Sequence, residues 1–174
     1  MTGNPAAAAA KAPSLTVSLE DLPPEGLELS LNIGPKAVAA LVAVEGEEPP
    51  TFTTALTGTL RLRLFTARLS LEGSFRVGVT LVCDRCLALS TATIAGDIEE
   101  SLILAADPAA GLPEDEDGSL TVIDGQVDLT EFLAESFWLA WPYRFICRPD
   151  CAGLCLTCGA DLNQGPCGCL KPEA

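Results

Sequence analysis

The stretch TALTGTLRLRLF, residues 54–65, alternates apolar and polar side chains along most of its length. Successive side chains of a β-strand point to opposite faces, so this alternation predicts a strand with one buried and one solvated face. The predicted buried face carries Leu56, Gly58, Leu60, Leu62 and Leu64. This strand is the first long element of a predicted sheet.

Two further stretches repeat the pattern directly after it. Residues 68–81 place Leu69, Leu71, Phe75, Val77, Val79 and Leu81 on one face, and residues 92–104 continue the alternation. Two long strands joined by a short connection favour antiparallel pairing, which puts Cys83 and Cys86 at a hairpin tip. Gly73 interrupts the second strand and predicts a bend or a bulge there.

The rest of the chain predicts shorter elements. Strands are expected at 14–19, 27–33 and 120–123, and residues 36–44 are compatible with a short helix or a strand. After a turn at 124–125 a helix is predicted over 128–141, with Asp128 as its cap and Glu131 completing a capping box. Its inward stripe comprises Leu129, Phe132, Leu133, Ser136, Phe137 and Ala140.

These elements predict an α+β domain that is mainly β. We expect a curved antiparallel sheet or a partly closed barrel, one main helix and a C-terminal zinc knuckle. Three regions follow from the composition: a disordered alanine-rich tail (1–13), a β-rich domain (14–146) and a cysteine-rich module (147–170). The acidic stretch 105–118 is expected to be a mobile surface loop.

The eight cysteines carry the clearest chemical signal. In a C-x-x-C turn both sulfurs can face one ion, and the glycine after the second such pair suits the tight turn. Four cysteines of the tail form one predicted site: Cys155, Cys158, Cys167 and Cys169. The hairpin pair and two cysteines beyond the helix form the other: Cys83, Cys86, Cys147 and Cys151. The chain has no histidine, so mixed cysteine and histidine ligation is excluded.

Zinc is the expected metal, with two ions per chain. Iron is an alternative because the same cage of four sulfurs accepts it. A redox dithiol at either C-x-x-C and structural disulfides also remain open, although neither C-x-x-C precedes a convincing helix that would lower a thiol pKa. Two filled zinc sites, each contributing −2, would take the formal charge from −14 to −18.

The composition argues against catalysis, membrane insertion and secretion. The absence of histidine removes the commonest general base, and no glycine-rich phosphate loop is present, so no catalytic residue and no small-molecule substrate are predicted. No apolar run approaches the roughly 20 residues that span a bilayer. The first residues, MTGNPAAAAAKAP, lack the features of a signal peptide, so a cytoplasmic location is expected.

Charge is distributed unevenly along the sequence. Residues 87–143 contain no lysine or arginine, whereas four arginines of the preceding strands and turn are candidates for contact with RNA: Arg61, Arg63, Arg76 and Arg85. The simpler interpretation is that basic and acidic strands pair and neutralise each other. The net charge of −14 opposes tight non-specific binding to nucleic acid.

Three motifs together resemble a known family. They are CDRCL (83–87), VDLTEFLAESFWLAWP (127–142) and CRPDCAGLCLTCGADLNQGPCGC (147–169). The combination resembles the YceD family, the large ribosomal RNA subunit accumulation proteins of bacteria and plastids. The resemblance implies a non-enzymatic factor needed for this RNA to be made, processed or kept stable. Some relatives lack the cysteine-rich tail, which suggests that metal supports the fold.

The acidic charge bears on the partner that this resemblance implies. A ribosomal or assembly protein and a precursor of the large-subunit RNA are the two candidates. We favour the protein, because an acidic loop attracts basic ribosomal proteins over a long range. Direct contact with RNA through the four arginines and an indirect effect on RNA levels remain the alternatives.

Overall fold

A computed structural model describes residues 14–66, 68–105 and 119–169. The predicted tail (1–13) and nearly all of the predicted acidic loop lie outside these residues. The strands are β1 (Thr16–Ser18), β2 (Leu27–Ile33), β3 (Thr51–Phe52), β4 (Leu56–Phe65), β5 (Arg68–Val82), β6 (Leu89–Ala105), β7 (Ser119–Ile123) and β8 (Gln126–Asp128). The helices are α1 (Pro35–Leu41) and α2 (Thr130–Leu139).

The eight strands form one open sheet in the order β1-β8-β7-β6-β5-β4-β2, with β3 pairing β5 beyond the start of β4. All pairs are antiparallel except β6 with β7. Of the two predicted alternatives, a curved antiparallel sheet or a partly closed barrel, the described strands form a mainly antiparallel sheet, and no closed barrel forms among them. The physical reason lies at β6, where β7 pairs only with Ile103–Ala105 and leads the remaining strands past the end of β6.

The three long strands form the predicted antiparallel meander. Leu62 faces Leu71 across β4 and β5, and Phe75 faces Gly96 across β5 and β6. Pairing continues without interruption through Gly73, so the strand is not bulged there. A Cβ on Gly73 would lie 2.1 Å from the carbonyl oxygen of Thr59, which shows that glycine permits a close approach of the two strands.

The core lies between the inward face of this meander and the two helices. Leu60, Leu62, Leu69 and Leu71 are fully buried. From α2, Leu129, Leu133 and Phe137 complete the core, as the predicted stripe requires. The Phe137 ring contacts Phe52 edge-on, with centroids 5.6 Å apart.

Two helices are present where one main helix is expected. α1 settles the ambiguity of residues 36–44: Pro35 pre-sets the first turn, and Val38 and Leu41 point into the core. α2 is shorter than the predicted 128–141. Asp128 ends β8 and accepts the backbone N–H of Thr130 at 2.9 Å, while the helix cap itself, Leu129, makes no side-chain bond.

Two short strands, β3 and β8, are not predicted from the sequence. β3 and β8 are only two and three residues long, too short to display an alternating pattern. β8 forms a hairpin with β7 through Asp124 and Gly125, both with positive φ, which is the turn chemistry of a tight hairpin. No helix among the described residues is long and apolar enough to cross a membrane.

Candidate metal centres

The connection between β5 and β6 is a tight knuckle that begins at Cys83. The backbone N–H of Cys83 donates to the carbonyl of Ala88, and the N–H of Leu87 donates back to the carbonyl of Cys83, both at 2.9 Å. Leu87 takes up the left-handed conformation, with φ 59°. This turn presents the sulfurs of Cys83 and Cys86 to the same point.

A second knuckle with the same bonding begins at Cys155. The N–H of Cys155 donates to the carbonyl of Ala160, and the N–H of Gly159 donates to the carbonyl of Cys155, both at 2.8 Å. Gly159 has φ 73°, the counterpart of Leu87. The chain therefore builds one local structure twice, in segments far apart in sequence, and each copy offers two sulfurs.

The hairpin knuckle meets two cysteines from the segment that follows α2. The sulfurs of Cys83, Cys86, Cys147 and Cys151 all lie within 4.8 Å of one another; we call this cluster site one. The Cys83 and Cys151 sulfurs are 3.9 Å apart, and those of Cys86 and Cys147 are 3.8 Å apart. Metal–sulfur bonds of about 2.3 Å in a tetrahedron give edges of about 3.8 Å, so the cluster fits a metal ion.

The tail forms a second cluster of the same kind. The sulfurs of Cys155, Cys158, Cys167 and Cys169 also lie within 4.8 Å of one another; we call this cluster site two. The two clusters hold the same groups of four that the sequence predicts. None of the eight cysteines forms a disulfide, so the structure does not support the alternative of structural disulfides.

The two sites differ in exposure. In site one, Cys83 and Cys151 are buried and the other two ligands are half-buried. In site two, Cys155 is buried, whereas Cys158 and Cys169 are exposed. Site one is thus enclosed between the hairpin tip and the segment after α2, and site two lies at the surface of the tail.

Backbone N–H groups prepare one thiol of each site for metal binding. The N–H of Cys147 and the N–H of Arg85 both point at the Cys83 sulfur from 3.4 Å. These bonds, the one from Cys147 most of all, lower the Cys83 pKa to about 6. In site two, the N–H groups of Cys158 and Thr157 lower the Cys155 pKa to about 6.

Other thiols hold their protons more tightly. Loss of hydration raises the Cys147 pKa to about 12 in the metal-free chain. The hydrogen bond shared with Cys158, followed by loss of hydration, raises the Cys169 pKa to about 11. Each site thus combines one ready thiolate with at least one thiol whose proton an incoming metal must displace.

Asn163 lies between the two ligand pairs of site two and bonds to the segment that carries Cys151 of site one. Its side-chain oxygen accepts the Ala152 N–H at 2.8 Å and an Arg148 guanidinium N–H at 2.7 Å. Its amide nitrogen donates to Asp161 at 2.7 Å and points at the Cys151 sulfur from 3.6 Å. These bonds hold the chain that runs from site one into site two.

Asp161 is the second polar residue of this connection. Its carboxylate accepts the backbone N–H and the side-chain amide of Asn163, which lowers its pKa. Our sequence prediction missed both residues. The available signal is the string ADLNQG between the ligand pairs, because short polar side chains that bond to nearby backbone are typical of tight turns.

Arg85 joins the hairpin knuckle to the tail. Its guanidinium donates to the Cys151 carbonyl, and its own carbonyl accepts the Leu154 N–H, both at 3.0 Å. Gly153 passes close by with φ 77°, and a Cβ there would lie 3.0 Å from the Arg85 carbonyl oxygen. Arg85 therefore helps to hold the metal region together.

Three of the four candidate arginines, Arg61, Arg63 and Arg76, share the outward face of the β4–β5 pair. Arg61 forms an ion pair with Glu28 of β2, 3.0 Å away. Arg63 follows two positions later on β4, and Arg76 sits opposite Thr57 on β5. Together with Arg85 at the hairpin tip, they are spread along the meander, and two of them are already bonded within the chain.

Comparison with known proteins identifies the family. The family model described as "Large ribosomal RNA subunit accumulation protein YceD" matches residues 71–174. These residues include the meander from β5 onward, α2 and all eight cysteines. The chain belongs to the YceD family. The resemblance seen in the sequence motifs is thereby confirmed.

Similar curated proteins include a plastid protein and several from mycobacteria. The chain is 28% identical over 134 residues to "Large ribosomal RNA subunit accumulation protein YCED homolog 1, chloroplastic" of Zea mays, covering 61% of this chain and 45% of the relative. It is 33% identical over 84 residues to an uncharacterized protein of Mycobacterium tuberculosis, covering 48% and 40%. An uncharacterized protein of Mycobacterium leprae is 29% identical over 110 residues, covering 62% and 49%.

The chain thus spans less than half the length of each of these curated relatives. No solved structure matches it. For this YceD chain, the chemistry of the two sites follows from its own residues: four thiolates can hold one zinc or iron ion and fill its tetrahedral coordination.

Proposed function

We propose that this chain supports the accumulation, processing or assembly of large-subunit ribosomal RNA by binding a partner, without catalysing a reaction. Membership of the YceD family supports the link to this RNA. The observation that carries the binding role is the closure of both cysteine clusters. An ion with four protein thiolates keeps no open position for substrate, so zinc here has a structural role.

Structural zinc also explains how the parts of the domain are joined. Site one ties the β5–β6 hairpin to the segment after α2, and site two closes the tail on itself. The domain and the cysteine-rich module (147–170) therefore act as one scaffold in this proposal. Zinc is favoured over iron because a purely structural role uses a metal that has no redox chemistry.

The proposed partner is a basic ribosomal or assembly protein in the cytoplasm. The acidic net charge favours such a partner over direct, non-specific contact with RNA. Two of the four candidate arginines, Arg61 and Arg85, already bond within the chain, which argues in the same direction. No membrane and no small-molecule substrate enter the proposal.

The proposal is tested in cells that lack the chain. We expect the ratio of large- to small-subunit ribosomal RNA to fall on deletion and to recover with the wild-type chain. The variant Cys86→Ser with Cys147→Ser, which removes site one, should fail to restore the ratio. Glu47→Gln, an exposed substitution in the loop before β3, is the control and should restore it fully. An unchanged ratio after deletion would contradict the proposed function.

Metal content and thiol reactivity separate this proposal from a redox enzyme. Protein prepared without added metal should contain two zinc ions per chain by elemental analysis. Its thiols should react with a thiol reagent only after a chelator is added, because bound thiolates are protected. Iron in place of zinc, or freely reactive thiols in the untreated protein, would instead favour the redox alternative.

A further inference from the structure

Among the described residues, β6 has a long edge without a partner strand. β5 pairs with one side of β6 from Leu89 to Ile103, but β7 pairs with the other side only from Ile103 to Ala105. Within the described ranges, no other strand and no loop backbone bonds to the second side of residues 89–102. Unpaired backbone N–H and C=O groups of this kind are a template for an added strand.

A groove runs beside the middle of this edge, between β6 and the end of α2. Its volume is about 250 Å³, and its lining includes Ile98, Ala140 and Leu139. Leu139 is 81% exposed although it is large and apolar. An extended segment lying along β6 could therefore bond to the backbone and place an apolar side chain in the groove.

The charges along the edge determine which kind of segment would bind there. Asp97, Glu99 and Glu100 are exposed on β6, and Glu99 faces Glu72 directly across the β5–β6 pair. Like charges opposite each other destabilise a sheet. No ion pair within 4.0 Å relieves these carboxylates among the described residues, and residues 87–143 contain no lysine or arginine.

We propose that the open edge of β6 docks an extended, lysine- or arginine-rich segment of a protein partner, which joins the sheet as an added strand. The opposite edge of the meander is a weaker candidate. β2 offers only seven residues, and its acid, Glu28, already pairs with Arg61. The proposal rests on the proposed function insofar as the partner is a basic ribosomal or assembly protein.

The test uses the full zinc-loaded chain and a fluorescent peptide of alternating lysine and valine. We expect saturable binding by fluorescence anisotropy, and new protection from hydrogen exchange confined to residues 89–102. The double variant Asp97→Lys with Glu99→Lys should weaken binding by about tenfold or more, because attraction becomes repulsion. The double variant Asp21→Lys with Glu25→Lys, just before β2 and three strands away, changes the net charge by the same amount and should reduce affinity far less.

Several results overturn the docking proposal. Equal affinity of the β6 double variant and the wild type does so, as does protection that appears away from β6. An RNA oligonucleotide that protects residues 89–102 while the peptide does not would assign the edge to another class of partner. The peptide assay is independent of ribosomal RNA levels. A chain that binds the peptide at β6 but does not restore the RNA ratio would therefore contradict the proposed function alone.

Discussion

Leu87 and Gly159 occupy the same position in the two knuckles, with φ of 59° and 73°. A left-handed backbone suits glycine, whereas a side chain at this position meets the neighbouring carbonyl oxygen. The hairpin knuckle therefore has a strained residue at this position, whereas the tail knuckle has glycine. The two positions form a natural pair for substitution.

Gly159→Ala is expected to destabilise the chain by about 1 kcal/mol, because alanine disfavours the left-handed conformation. Leu87→Gly should remove a similar strain, partly offset by the greater freedom of glycine in the unfolded state, and so leave stability equal or slightly higher. Chemical denaturation of the zinc-loaded variants measures both. A destabilising Leu87→Gly would show that the side chain, which is 63% exposed, makes a contact that matters.

The thiol pKa values predict how metal binding depends on pH. Between pH 7 and 8, Cys147 and Cys169, with pKa values of about 12 and 11, carry protons that the metal must displace. Below about pH 6 the Cys83 and Cys155 thiolates are protonated as well. Zinc affinity should therefore fall as the pH falls, and fall more steeply below about pH 6. Calorimetry in buffers of different ionisation enthalpy should detect the released protons; pH-independent affinity would contradict this ligand set.

Asn163→Ala is expected to lower stability by about 1–2 kcal/mol, because it removes an acceptor from the Ala152 N–H and a donor near the Cys151 sulfur. Zinc content should stay at two ions, since no ligand is lost. Gln164→Ala is the neighbouring control, because its single exposed bond to Asp161 should matter little. Thermal melts with parallel metal analysis separate loss of stability from loss of metal.

At the scale of elements, the two sites join different parts of the structure. Site one links the β5–β6 hairpin to the segment after α2, and the Asp84 carboxylate accepts the Phe145 N–H at 2.8 Å beside it. Site two joins only residues of the tail. Loss of the first should loosen the domain, whereas loss of the second should leave the sheet and helices in place.

Single substitutions test this difference. Cys86→Ser should reduce zinc to one ion per chain and lower the melting temperature markedly, because the hairpin tip and the tail separate. Cys158→Ser should also remove one ion but change the main unfolding transition less, since its ligand set is local. Calorimetry with metal analysis compares the two directly. Equal loss of stability in both variants would show that site two also supports the sheet.

At the scale of the whole molecule, net charge predicts a response to salt. The chain carries a formal charge of −14, and two zinc sites filled by thiolates would make it more negative still. Association with a basic partner should therefore weaken as potassium chloride rises, through screening of long-range attraction. Co-sedimentation with large-subunit precursors across a salt series measures this. Salt-independent association would indicate a mainly apolar contact.

The long strands and the ligand sets could be predicted because each leaves a repeated or spaced signal within a short window. Leu60 and Leu62 follow a period of two, and the C-x-x-C pairs mark their own turns. The open form of the sheet could not be predicted from the sequence, because it depends on the place where β7 pairs with β6. The connection through Asn163 was missed because it is fixed by three-dimensional contacts between residues that carry no metal-binding signature themselves.

The two knuckles differ in how far away their second pair of ligands lies. In site two all four cysteines fall within 15 residues, whereas in site one Cys86 and Cys147 are 61 positions apart. Bringing together ends separated by a longer loop costs about 1 kcal/mol more in chain entropy and must await the strands between them. The tail can therefore capture its ion early and locally during folding. Site one can bind its ion only after the hairpin and the segment that follows α2 have come together, so it is occupied last during folding.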